Sequence, residues 1–213
     1  MTAEPVTPPV EDLSLTSIAA EIACMNGRRI VAVDGVDGAG KTTFADKLAP
    51  LVAANGKPVL RASIDGFHNP RALRYQRGKD DPLGYFLDSY NYAEFQDFLI
   101  TPFRAGRETV HLTRFDHHSD SANPKVAPVP NDAVLLIDGI FLHRDELHTN
   151  WDFSLFLDIP FAETFRRMAL RDGFDPHPLA ASNRRYHQGQ LLYFAQCNPK
   201  ARASQLIGWQ SAK

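Results

Sequence analysis

Residues 30–44 read Ile-Val-Ala-Val-Asp-Gly-Val-Asp-Gly-Ala-Gly-Lys-Thr-Thr-Phe: an aliphatic run, a glycine-rich turn and a helix start. The spacing Gly35-x4-Gly40-Lys41-Thr42 is that of a phosphate-binding P-loop, and each residue type has a physical reason. Gly35, Gly38 and Gly40 let the backbone turn tightly and bring several N–H groups onto one phosphate. Asp37, Ala39 and Thr43 complete the expected nucleotide cradle, and the helix beginning there sets its positive dipole end beneath the anion. Lys41 can reach the β- and γ-phosphates, and the Thr42 hydroxyl can coordinate Mg²⁺. Ile30, Val31 and Val33 read as a buried strand, while Phe44, Leu48, Leu51 and Val52 recur at helical spacing. A chance glycine-rich loop has no reason to carry that strand and helix, so the stretch predicts binding of a nucleoside triphosphate.

On either side of this loop, strands and helices alternate. Leu15, Ile18, Ala19, Ile22 and Ala23 form a helical stripe stopping near Gly27, and residues 1–13, with three prolines, read as a flexible arm. Strands are predicted over 58–64 and 133–137, ending on Asp65 and Asp138, and over 153–157, followed by a helix opened by Pro160. Residues 66–90 lack clear periodicity and read as a functional connection that is expected to move on substrate binding. Tyr92, Phe95, Phe98 and Leu99 mark a helix, 110–113 and 126–129 pair as a small hairpin, a helix covers 182–196, and 204–208 form a short last strand. The alternation predicts an α/β fold with a mainly parallel sheet covered on both faces, formed as one domain over 14–213.

Composition narrows the function classes. With 23 basic and 25 acidic residues among 213, the formal charge is −2, which does not suit a general nucleic-acid binder. Cys24 and Cys197 make neither metal spacing nor a disulfide framework and are expected to be buried reduced thiols. No apolar run reaches membrane-spanning length and the start carries no signal-peptide pattern, so the expected location is the cytoplasm. His117 and His118 are adjacent; on a strand they point to opposite faces and cannot share an ion.

Ligands of open α/β sheets sit beyond the carboxyl ends of the strands. Asp138 follows four aliphatic residues and has the pattern of a carboxylate that holds Mg²⁺, with a helix cap as the alternative. Asp65 can accept the proton of an attacking hydroxyl, or it can be a plain Asp-Gly turn residue. Arg166, Arg167 and Arg171 share one predicted helix and Arg184-Arg185 follow a Gly/Pro-containing loop over 173–183; one or two of them suffice to stabilise phosphate charge, and the loop is expected to move on substrate binding.

Three motifs taken together resemble the uridine kinase-like P-loop kinases, a group similar to phosphoribulokinase and bacterial pantothenate kinase. They are the P-loop, Ser63-Ile64-Asp65-Gly66-Phe67-His68 and Leu136-Ile137-Asp138-Gly139-Ile140, in the family's order from about residue 15 onward. The resemblance implies a three-layer α/β/α P-loop NTPase fold with a mobile lid, and transfer from ATP with Mg²⁺. It implies Asp65 as general base, Lys41 and Thr42 on ATP and Mg²⁺, Asp138 as the second metal residue, and Arg171, beside Asp172, on the ATP phosphates. Phe115-Asp116 sits where uridine kinases carry Tyr-Asp beside the base, and Tyr90-Asn91 where they carry a Phe and the ribose-gripping Asp; His68 and Arg74 join them on the substrate side. Three departures stand out: Asn91 for an acid, Asp138 for the more usual Glu, and no later Arg-Gly in the lid.

The expectation is a kinase acting on a hydroxyl of a small molecule, a nucleoside such as uridine or cytidine first. Pantothenate, a sugar phosphate or nicotinamide riboside are alternatives, with homo-oligomerisation open. A nucleotide-dependent switch or binding protein is the rival class, but the nearest string to a guanine motif, Asn198-Pro199-Lys200-Ala201, lacks its aspartate.

Overall fold

The computed structural model describes residues 10–208, with side chains from 15 onward. Among the described residues seven strands form two sheets: β1 (Arg29–Gly35), β2 (Val59–Ser63), β5 (Val134–Asp138), β6 (Phe153–Asp158) and β7 (Gln205–Gly208) in one, and the hairpin β3 (Thr109–Asp116) with β4 (Ser121–Pro128) in the other. The large sheet runs β2-β5-β1-β6-β7 with every pairing parallel. Nine helices accompany them among the described residues: α1 (Val10–Ala23), α2 (Lys41–Ala54), α3 (Arg71–Arg74), α4 (Pro82–Asp88), α5 (Tyr92–Phe95), α6 (Thr101–Arg104), α7 (Phe161–Asp172), α8 (Arg184–Cys197) and α9 (Pro199–Arg202).

The period-two alternation of β1 explains the layering. Ile30 and Ala32 point into a core with Phe86 of α4, Phe95 of α5, Phe103 of α6 and Tyr193 of α8. Val31 and Val33 point the other way, onto Leu15, Ile18 and Ile22 of α1 and Leu48 and Val52 of α2. The result is the expected three-layer α/β/α architecture. Both Val33 of β1 and Ser63 of β2 stand in register with Asp138 of β5, so the segments leaving these three strands meet at one edge of the sheet.

Some local expectations are corrected. Residues 66–90 are not irregular: they hold α3 and α4, each too short to show a helical period. Helical backbone continues from α5 to α6 through a wider π turn at Gln96–Ile100. Cys24 is exposed; Cys197 is buried. His117 and His118 lie in the hairpin turn rather than on a strand, with ring centroids 4.0 Å apart. Helix α1 begins at Val10, inside the stretch expected as an arm, and residues 1–9 lie outside the described part. No helix among the described residues is long and apolar enough to cross a membrane.

Candidate active site

The loop between β1 and α2 is held from three sides. Gly38 (φ 73°) and Gly40 (φ 88°) adopt the left-handed backbone that glycine favours. A Cβ on Gly38 would stand 2.5 Å from the Thr164 carbonyl oxygen, so the loop packs directly against α7. The Asp37 N–H donates to Gln190 Oε1 of α8 at 2.8 Å, and the Tyr85 hydroxyl of α4 donates to Asp37 Oδ2 at 2.5 Å. Burial raises the Asp37 pKa, with Lys41 and the Tyr85 bond pulling the other way. Lys41 Nζ donates to the Val36 carbonyl at 2.9 Å, and the Ala39 carbonyl accepts from Arg167. Below Gly35, the fully buried Asp34 accepts from the Gly35 N–H at 2.6 Å, the Tyr193 hydroxyl and His143, whose Nδ1 lies at 2.7 Å. A carboxylate so satisfied fixes the start of the loop.

Asp138 ends β5 almost fully buried. Thr42 Oγ1 donates to its Oδ2 at 2.6 Å, and Arg61 Nη2 of β2 donates to its Oδ1 at 2.9 Å. No helix begins directly after Asp138, so nothing there asks for a cap. Arg61, which also grips Asp46 at 3.0 Å, offsets the cost of burying the carboxylate. Two hard oxygen donors thus face the phosphate cradle. That donor set suits Mg²⁺, which takes one or two protein oxygens and fills its other positions with phosphate and water.

Asp65 lies in a one-turn 3₁₀ segment, Ile64–Phe67, capped by Ser63 Oγ, which accepts from the Asp65 N–H at 3.3 Å. Its exposed carboxylate accepts from the Tyr90 hydroxyl at 2.9 Å. Burial, then the neighbouring Asp65 charge, push the Tyr90 phenol well above its usual range, so it stays a donor. His68 Nδ1 contacts the Asp65 carbonyl at 2.8 Å, and its ring packs on Tyr90 and stacks on His117 with centroids 4.5 and 4.4 Å away. Burial pulls the His68 pKa down to about 4, leaving a neutral imidazole near pH 7.

Two cavities meet here. The smaller, about 150 Å³, is lined by Gly38, Gly40, Lys41, Thr42, Thr43 and Asp138. The larger, about 310 Å³, is lined by His68, Arg74, Tyr75, Tyr85, Arg185 and Tyr186 among others. Asp37, Asp65, Tyr90 and Arg171 line both. Arg171 is paired to Asp172 at 2.7 Å, whereas Arg166 and Arg167 both grip Glu163.

Other expected site residues are not brought to these walls. Asn91 caps α5, accepting from the Glu94 N–H at 3.1 Å. Phe115 pairs with Ala122 in the hairpin, and Asp116 closes its turn by accepting from His118 N–H and Ser119 Oγ, each at 2.9 Å. Conversely, Tyr75, Tyr85, Phe174 and Tyr186 line the larger cavity although nothing in their local sequence marked them, and His117 and Arg185, considered above for a metal and for phosphate, line it too. Tyr75, Tyr85, His117 and Phe174 lie on turns, a short helix or irregular backbone without a period, and the helical face of Arg185 and Tyr186 is defined only by packing on α4.

The profile of the Phosphoribulokinase / Uridine kinase family matches residues 30–174, about two thirds of the chain. A possible uridine kinase from Bacillus stearothermophilus superposes with a TM-score of 0.73 at 22% identity, over 93% of this chain and 100% of that one. A candidate fructose transport system kinase from a Silicibacter species gives 0.68 at 26% identity, over 91% and 98%. The D-glycerate 3-kinase of Cryptococcus neoformans gives 0.57 at 11% identity, over 94% and 96%. A curated signal recognition particle protein from Mycoplasma mycoides is 30% identical over 129 residues; the match spans 52% of this chain but only 27% of that protein.

Proposed function

Because this chain belongs to the phosphoribulokinase / uridine kinase family of P-loop kinases, we propose that it moves the γ-phosphate of ATP, with Mg²⁺, onto a hydroxyl of a small metabolite. The observation that carries this reading is the wall shared by the two cavities: Asp65 and Arg171 border both the phosphate cradle and the larger pocket. A hydroxyl seated in the larger pocket lies beside a carboxylate on one side and the nucleotide cradle on the other. That is the juxtaposition phosphoryl transfer needs, since its catalysis is mainly positioning and charge stabilisation.

In this reading Lys41 and the loop N–H groups hold the phosphates, and Thr42 and Asp138 would hold Mg²⁺. An ion held there would supply positive charge against the phosphate oxygens. Two carboxylates border the acceptor space, and their surroundings separate them. Asp37 is occupied by Tyr85, and burial raises its pKa. Asp65 is exposed and accepts one hydrogen bond, from Tyr90, which leaves lone pairs for an incoming hydroxyl. Asp65 is therefore assigned as the base and Asp37 as a loop-positioning group. Arg171 would leave Asp172 to meet the transferring phosphoryl group.

A nucleoside acceptor rests on the sequence resemblance alone. Its proposed contacts Asn91, Phe115 and Asp116 stand outside the cavity lining. The test is ADP release from Mg-ATP against uridine, cytidine, pantothenate, ribulose 5-phosphate and nicotinamide riboside. Stimulation by one of them is expected, and an ATPase rate that none alters counts against the kinase reading.

A further inference from the structure

We propose that the acceptor carries an anionic group, a carboxylate or a phosphate, and that the buried Arg74 guanidinium receives it. The proposal rests on the kinase reading of the site and narrows its substrate class. Arg74 closes α3 on the wall of the larger cavity and is only 8% exposed. A guanidinium buried to this degree normally has its five N–H groups matched by acceptors, because leaving them unmatched in a low dielectric is costly.

Arg74 is poorly matched. Nη2 reaches the His117 carbonyl at 3.3 Å and Asp120 Oδ1 at 3.5 Å, and that carboxylate oxygen already accepts from the Arg71 N–H at 2.7 Å. Nε is buried with no hydrogen-bond partner, and the guanidinium carbon lies 5.5 Å from the centroid of the Tyr75 ring. The neighbouring Arg185 shows the contrast. Its Nη1 donates to the Asp81 carbonyl at 2.9 Å, its Nη2 to the Arg74 carbonyl at 3.0 Å, and its plane lies over Tyr75 and Tyr85. Arg185 is structural and supports α3 from below; Arg74 keeps donor capacity that the protein does not use.

The wall between Arg74 and Asp65 is continuous. Asp65 bonds Tyr90, Tyr90 packs on His68, His68 stacks on His117, and the His117 carbonyl takes Arg74. A molecule lying along this wall presents its hydroxyl to Asp65 and its far end to Arg74. Burial keeps His68 and His117 below their usual pKa, so their rings are neutral surfaces with N–H groups able to donate to an oxyanion. Carboxylate and phosphate share the needed chemistry, a planar or tetrahedral set of oxygens that accepts a guanidinium fork. A volume of about 310 Å³ suits a hydroxy acid or a sugar phosphate.

The test uses matched pairs on the full chain, with Mg²⁺ and a non-hydrolysable ATP analogue filling the P-loop so that anions cannot bind there. Calorimetry compares D-glycerate with glycerol, pantothenate with panthenol, and ribose 5-phosphate with ribose, which also separates carboxylate from phosphate. At least one anionic member should bind tighter than its neutral twin by about tenfold or more, the usual scale for hydrogen bonds to charged groups. Arg74→Gln should remove most of that preference while affinity for the ATP analogue stays unchanged; Arg74→Lys should retain part of it. Neutral twins binding equally well, no anionic member binding, or a preference that survives Arg74→Gln would each overturn the proposal. The wild-type comparison decides even where the variants fail to fold. Anion binding through Arg74 without transfer to any acceptor would refute the kinase reading alone. Transfer to neutral twins, indifferent to Arg74→Gln, would refute the subsite alone.

Discussion

Burial holds the His68 imidazole near pKa 4 in the folded protein against 6.5 for the free side chain, with Asp65 opposing the shift only in part. Between those values the unfolded chain binds more protons than the folded one, so stability rises with pH across the window. Stability is therefore lost as pH falls from about 6.5 toward about 4, by as much as ~3 kcal/mol from this one residue. His117, also lowered by burial, adds in the same direction. The expectation is that denaturant melts of His68→Gln show a shallower pH dependence over this window than wild type. Identical slopes would mean that His68 is not the neutral, buried wall described above. The same residue-scale logic separates the carboxylates: Asp34, Asp37 and Asp138 are each tied to protein donors, and Asp65 is the one left open to an incoming group.

At the scale of elements, the phosphate loop and α7 are one unit. Gly38 combines a left-handed backbone with a Cβ position 2.5 Å from the Thr164 carbonyl, and backbone cannot move aside as a flexible side chain could. Gly38→Ala should therefore lower stability by at least ~2 kcal/mol and weaken ATP binding by at least about tenfold, the strain and the displacement of α7 adding together. Thermal melting and ATP titration check this; a variant matching wild type in both would show that the loop and α7 are not in contact. The loop itself was legible in the sequence because strand, turn and helix are contiguous, so local periodicity and glycine spacing describe it completely. The three parallel strands leading to the P-loop, Asp65 and Asp138 were legible for the same reason, although β2 stops at Ser63 and Asp65 stands in the turn that follows. The acceptor wall was not. Tyr85 and Tyr186 meet edge-on, 5.0 Å apart, only because α4 packs on α8 through Gly189, a contact between segments 101 residues apart. The nucleoside contacts expected at Asn91 and Asp116 came from resemblance, and both side chains are spent on local caps.

For the whole molecule, a five-stranded parallel sheet with helices on both faces brings the ends of β1, β2 and β5 to one edge, and the two cavities join there. The central claim is that Asp65, at their junction, activates a hydroxyl in the larger cavity toward a phosphate held by the P-loop. The most direct test follows γ-labelled phosphate from Mg-ATP into the acceptor identified by the panel, comparing wild type with Asp65→Ala, with ATP affinity measured in parallel. The account predicts unchanged ATP affinity and a loss of transfer of about a hundredfold or more, the usual scale for a general base. Transfer by Asp65→Ala at near the wild-type rate would contradict it.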